Sequence, residues 1–139
     1  MPVQVFGSQR VVCWVLRLTA LSVDDTTIIE VKCHFSARET PLHELAVQPK
    51  GFFLCVPATG EDSKQLVLNS ANDTGMKYYH QIQGNLYFTG RSVCDLIVWT
   101  PSEMHIIPVA GDVAWEDNVG KLENCYKQHF QQTFLAGGD

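Results

Sequence analysis

The chain has 139 residues, 45% of them hydrophobic and 18% charged, with a formal net charge of −5. That is enough for one hydrophobic core and too little for two comfortable domains, and no apolar run approaches the length of a membrane span. The acidic balance also excludes a uniformly basic nucleic-acid-binding surface, so any grip on phosphate has to come from local lysines and arginines.

In chain order, residues 11–16, with Val11, Val12, Trp14 and Val15, predict a strand. The stretch 11–21 is the most apolar of the chain and follows Arg10, but Arg17 interrupts it and its small-residue pattern is poor for a signal-peptide cleavage site. Asp24 and Asp25 read as a turn leading into a second strand over residues 27–33. Residues 42–47 predict a short helix ahead of Pro49. Residues 51–56 and 65–69 predict a hairpin joined by the polar turn 58–63. Asn72, Asp73 and Thr74 then supply capping chemistry for a helix that runs to about Phe88 and is ended by Gly90. Residues 93–99 form a strongly apolar strand, Pro101, Ser102 and Glu103 a turn, and residues 104–109 its partner. From Val113 or Trp115 to about residue 134 the pattern predicts one continuous amphipathic helix carrying Leu122, Cys125, Tyr126, His129 and Phe130. Strands flanked by helices, with a hairpin in the middle, predict a mixed α/β sandwich.

The five cysteines, at positions 13, 33, 55, 94 and 125, show no C-x-x-C spacing. An odd, dispersed set predicts reduced thiols and an intracellular protein, nuclear or cytoplasmic, in place of a disulfide frame or a zinc site. Cys33, although it follows Lys32, reads as a small buried residue beside its strand.

The segment richest in chemistry is Glu30-Val31-Lys32. Residues two apart on a strand share a face, so the carboxylate and the ammonium stand together. A carboxylate so placed can hold a divalent cation, and the lysine can steer a water or balance charge on a phosphate in transfer. An E-x-K on a strand is also what a solvated salt-bridged pair looks like. The helix that follows is unusual in the same way: Tyr78, Gln81 and Asn85 share one flank and Tyr79, Gln83, Leu86 and Tyr87 the other, and packing alone does not favour glutamines and tyrosines facing a core. Gln83 has the alternative of capping or packing against the next strand. His34 reads as a loop residue making one hydrogen bond. Asp95 reads as orienting nearby backbone or pairing with a basic residue at the strand entrance.

Taken in order, Glu30-Val31-Lys32-Cys33, the run Tyr78-Tyr79-His80-Gln81-Ile82-Gln83 and Cys94-Asp95-Leu96-Ile97-Val98-Trp99 resemble the three motifs of the YqaJ-type viral recombinase family. This is the phage lambda exonuclease-like branch of the PD-(D/E)XK nucleases. The resemblance covers about residues 24 to 130. It implies a restriction-endonuclease-like mixed sheet flanked by helices, with the N-terminal part of the family fold missing or replaced. Residues 1–23 are then an unmatched segment, residues 24–134 the C-terminal portion of the exonuclease domain, and residues 135–139 a tail. It further implies an enzyme of DNA metabolism that hydrolyses phosphodiester bonds with Mg²⁺ or Mn²⁺ and acts on duplex ends. Glu30 and the Val31 backbone carbonyl would bind the metal, Lys32 would position the attacking water, and Gln81 would lie by the scissile phosphate. Arg38, Lys77 and Arg91 are the candidate DNA contacts, no membrane is implied, and a homo-oligomer is left open.

The sequence departs from the family at two points. His34 stands where the motif has proline. The aspartate that the family carries about ten residues before its E-x-K, which bridges the cations, has no counterpart at Thr19, Ala20 or Leu21. Impaired catalysis is therefore expected, and the alternative is a catalytically dead remnant that binds DNA or a protein.

Overall fold

The computed structural model describes residues 20–34, 38–57 and 65–136. They form two compact units, one ending at Gly111 and one beginning at Asp112. The strand expected over residues 11–16 lies outside the described residues, as do residues 137–139 of the tail expected over 135–139, whose first two residues belong to the last helix.

The first unit is mixed α/β. Its strands are β1 (Ala20–Leu21), β2 (Thr27–Cys33), β3 (Leu54–Cys55), β4 (Val67–Leu68), β5 (Val93–Trp99) and β6 (Met104–Ala110), with helices α1 (Leu42–Ala46) and α2 (Asp73–Thr89). A four-stranded mixed sheet has the order β1-β2-β5-β6, in which β2 and β5 run parallel and the outer pairs are antiparallel. The short hairpin of β3 and β4 stands apart from it. Everything from α1 to α2 thus belongs to the crossover that a parallel β2–β5 pair requires.

Alternation along the strands divides the sheet into two faces. On the front, Ile28 and Glu30 of β2, Cys94, Leu96 and Val98 of β5 and Ile107 of β6 are all buried. They join Leu42 of α1, Phe53 and Leu54 around β3, Leu66 before β4, and Ile82 and Leu86 of α2 in one core. The other face carries Ile29, Val31 and Ile97, with Trp99, Met104 and Ile106 exposed. Pro108 sits on β6, an edge strand among the described residues, where its missing N–H breaks no ladder bond with a neighbour beyond.

The ends of α2 follow from its sequence. The Asn72 side chain accepts from the Thr74 and Gly75 N–H groups at 3.0 and 3.1 Å, and Gly90 closes the helix in the left-handed region at φ 68°.

The second unit begins with a 3-10 turn, Val113–Glu116, which the Asp112 carboxylate caps at Ala114 N. Helix α3 (Asp117–His129) and helix α4 (Gln131–Ala136) follow. The single helix expected here is broken at Phe130, which separates the two helices. Its amphipathic pattern has no burial behind it either: no residue of α3 is buried, and Leu122 and Phe130 are exposed. Among the described residues no helix is long and apolar enough to cross a membrane.

Candidate active site

Glu30 and Lys32 stand on the front of β2, beside Leu96 and Val98 of β5 in the parallel register. Helix α2 lies over this part of the sheet, with Ile82 and Leu86 in the core and Gln81 beside them. Three polar side chains meet there. Glu30 Oε1 accepts from Lys32 Nζ at 2.9 Å and from Gln81 Nε2 at 3.3 Å, and Lys32 Nζ donates also to Gln81 Oε1 at 3.1 Å. The ring of Tyr78 lies 4.4 Å from the same ammonium, a cation–π distance. The side chains of Glu30 and Lys32 are only 6% and 19% exposed, so neither charge is well hydrated. A buried ion pair is weak support for a fold, since desolvation consumes most of its attraction, which makes this one a feature to explain by chemistry.

Glycine and asparagine set the helix in place. A Cβ at Gly75 would fall 1.9 Å from the Asn69 carbonyl oxygen, so the first turn of α2 can approach that strand end only without a side chain. Asn69 in turn donates from its amide side chain to Phe52 O at 3.0 Å and from its backbone to Phe53 O at 2.8 Å. Tyr78 lies one helical turn beyond Gly75 and edges onto Phe53, with centroids 5.3 Å apart. Gln81 follows one turn later.

The remaining candidates are dispersed. Arg91 is committed to the entrance of β2: its guanidinium donates to Ser22 O and Thr27 O at 2.8 and 2.7 Å and pairs with Asp25 at 3.5 Å. It holds a turn together, a different task from the DNA contact expected of it. Arg38 and Lys77 are exposed, and Lys77 precedes Gln81 by one helical turn. Asp95, register partner of Ile29, is on the opposite face from Glu30, and the arginine at the strand entrance goes to Asp25 in its stead. Gln83 is buried and donates to Ala110 O at 2.9 Å, which ties α2 to the end of β6. Cys33 is exposed, contrary to the buried reading, because it closes β2 on the face away from the core. The described cysteines are all free thiols. Cys94 is the buried one, and desolvation together with the negative charge of Glu30 pushes its thiol up to about 12.

Asp24 and Asp25 form the predicted turn. Asp24 accepts from the Ser22 hydroxyl and from the N–H groups of Thr26 and Thr27, and these bonds, the Ser22 one foremost, lower its carboxyl to about 2. Asp25 takes φ 60°, a left-handed conformation that aspartate tolerates in turns.

Two contributors were not read from the sequence. Tyr78 is visible as a residue on the flank of Gln81, but its contact with Lys32 depends on how closely α2 approaches β2. Glu103 reads in the sequence only as a turn residue, yet its carboxylate accepts from Leu42 N at 3.1 Å, at the start of α1, and meets His105 Nε2 at 3.1 Å.

As metal ligands, these residues make a minimal set. Mg²⁺ binds through one or two carboxylates with waters and substrate phosphate completing its shell, and Glu30 offers one carboxylate here. Among the described residues no three His, Cys, Asp or Glu side chains converge. No family model, no curated protein and no solved structure matches the chain.

Proposed function

We propose that the chain is a PD-(D/E)XK-type nuclease domain of the YqaJ-like branch, with a restriction-endonuclease-like core, directed at phosphodiester bonds of DNA ends and impaired in catalysis. One observation carries this reading: Gln81 joins Glu30 and Lys32, 51 and 49 residues away in sequence, in a closed and largely buried triangle. Nothing in core packing calls for a carboxylate, an ammonium and an amide at that point. An exonuclease site does.

In this reading a single Mg²⁺ or Mn²⁺ would be held by Glu30 and the Val31 carbonyl, and when bound would polarise the phosphate. The protein's own part is electrostatic. Lys32, kept in place by Gln81 and by the Tyr78 ring, offers its ammonium to a water or to a phosphoryl oxygen. Gln81, bonded to both charges, orients whichever group takes the place of one of them.

The impairment follows from the acids. Residues 1–23 contain no aspartate or glutamate. Asp24 is bound into the entrance turn, and that turn's hydrogen-bond partner Thr27 is three residues from Glu30, about 10 Å along a strand. A missing charge-stabilising group at a reaction centre costs about 10²- to 10³-fold in rate. A second reading, a catalytically silent scaffold, is favoured by Glu30 Oε1 already holding both Lys32 and Gln81.

Digestion of linear duplex DNA in Mg²⁺ or Mn²⁺ separates the outcomes. Slow, metal-dependent loss of nucleotides from the ends, abolished in Glu30→Ala, is expected. Equal cleavage by Glu30→Ala would refute the site, and no cleavage by the folded chain would leave the silent scaffold.

A further inference from the structure

A continuous run of aromatic rings leads away from the Lys32 ammonium. Tyr78 lies against that ammonium at 4.4 Å. Phe53 meets Tyr78 at 5.3 Å and Phe52 at 4.4 Å, and His34 meets Phe52 at 5.2 Å and Phe53 at 5.5 Å. Phe53 is buried and anchors the run, while Tyr78, Phe52 and His34 are half-exposed. The β2 ladder continues one residue past Cys33, with His34 N donating to Trp99 O at 3.0 Å, so alternation keeps His34 on the front face with Glu30 and Lys32. Two residues of strand separate Lys32 from His34 by about 7 Å, the order of the distance between a phosphate and the base of its own nucleotide.

From this juxtaposition of a cation with half-exposed aromatic rings, we propose that the His34 ring, set against Phe52 at 77°, forms a stacking platform for an unpaired DNA base whose phosphate lies at Lys32. A paired base is stacked on its neighbours and has no free face to offer, so the platform selects a nucleotide already parted from its complement, such as the last one of a frayed duplex end or one in a single strand. The inference rests on the nuclease reading for the placement of the phosphate. Stacking on aromatic rings is tolerant of sequence, because every base presents a π-face. Neighbouring cations fit the same ligand: Lys77 is exposed one helical turn before Gln81.

The test is fluorescence anisotropy without divalent metal, using labelled oligothymidylate about twelve nucleotides long and a wholly abasic strand of equal length and charge. Wild-type protein is expected to bind the thymidylate about tenfold or more tightly than the abasic strand. His34→Ala should remove most of that difference and His34→Phe should restore it, with circular dichroism confirming the fold of each variant. Equal affinity for the two strands, or an unchanged preference in His34→Ala, would overturn the platform. Glu30-dependent cleavage of linear duplex, measured on the same preparations, keeps the two ideas apart. Cleavage without base preference sinks only the platform, and base preference without cleavage sinks only the nuclease reading.

Discussion

The entrance and the middle of β2 use the same kinds of residue for opposite ends. At the entrance Arg91 spends its guanidinium on two backbone carbonyls and on Asp25, and the partner carboxylate is 95% exposed. In the middle, three residues on from Thr27, the Glu30 carboxylate is 6% exposed and pairs with Lys32, which also bonds a side chain from a distant helix. The first arrangement closes a turn, and water screens much of its charge. The second confines two charges where water does not reach them well. Charge next to charge is therefore not what marks the candidate site. Burial of the pair, with a third polar group joining it across the fold, is.

Breaking the middle should have the largest consequence. Lys32→Met leaves the Glu30 carboxylate buried without its cation and should lower stability by about 3–5 kcal/mol, read from the midpoint of urea unfolding at unchanged slope. Glu30→Gln combined with Lys32→Met removes the stranded charge and should recover much of that loss; a double variant as unstable as Lys32→Met alone would mean that the pair contributes through packing.

Breaking the entrance should cost less. Arg91→Ala removes a charged donor from two carbonyls, worth about 2 kcal/mol in the same unfolding measurement. It should leave Glu30-dependent metal binding intact, and a variant that lost both would tie the entrance to the site.

Asp24 should matter least, and what it contributes is lost in acid. Its folded carboxyl is lowered to about 2, from an ordinary value near 3.8. The contribution is therefore complete above the ordinary value and lost as pH falls from about 4 through 2. Asp24→Asn should flatten the stability profile across that window and lower stability slightly at neutral pH, where the wild-type contribution is complete. A flat profile in the wild type would show that the turn's hydrogen bonds do not couple to folding.

Local signals made much of this fold legible. Thr26-Thr27-Ile28-Ile29 and the apolar run at 93–99 announce β2 and β5, and the Asn72 cap and Gly90 bracket α2 within a residue. Those signals act over a few neighbouring positions, as does the E-x-K spacing, which puts Glu30 and Lys32 on one face. What joins Gln81 to them is the docking of α2, which depends on Gly75 meeting Asn69, and no periodicity reports that approach. What local signals do not reach has the same origin. Cys33 was read from its neighbours as buried, but strand alternation turns it to the uncovered face. Arg91 is simply a basic residue in the sequence, and only the path of the turn at Ser22 and Thr27 gives its guanidinium something to hold. The final helix carries an amphipathic pattern that α3 does not bury.

Calorimetric titration of Mn²⁺ or Mg²⁺ into the purified protein and into Glu30→Ala tests most directly the proposal that Glu30, bonded to Lys32 and Gln81, takes up a metal ion. A binding heat in the wild type that disappears in the folded variant is the result predicted. The same heat in both proteins, or none in either, would contradict it.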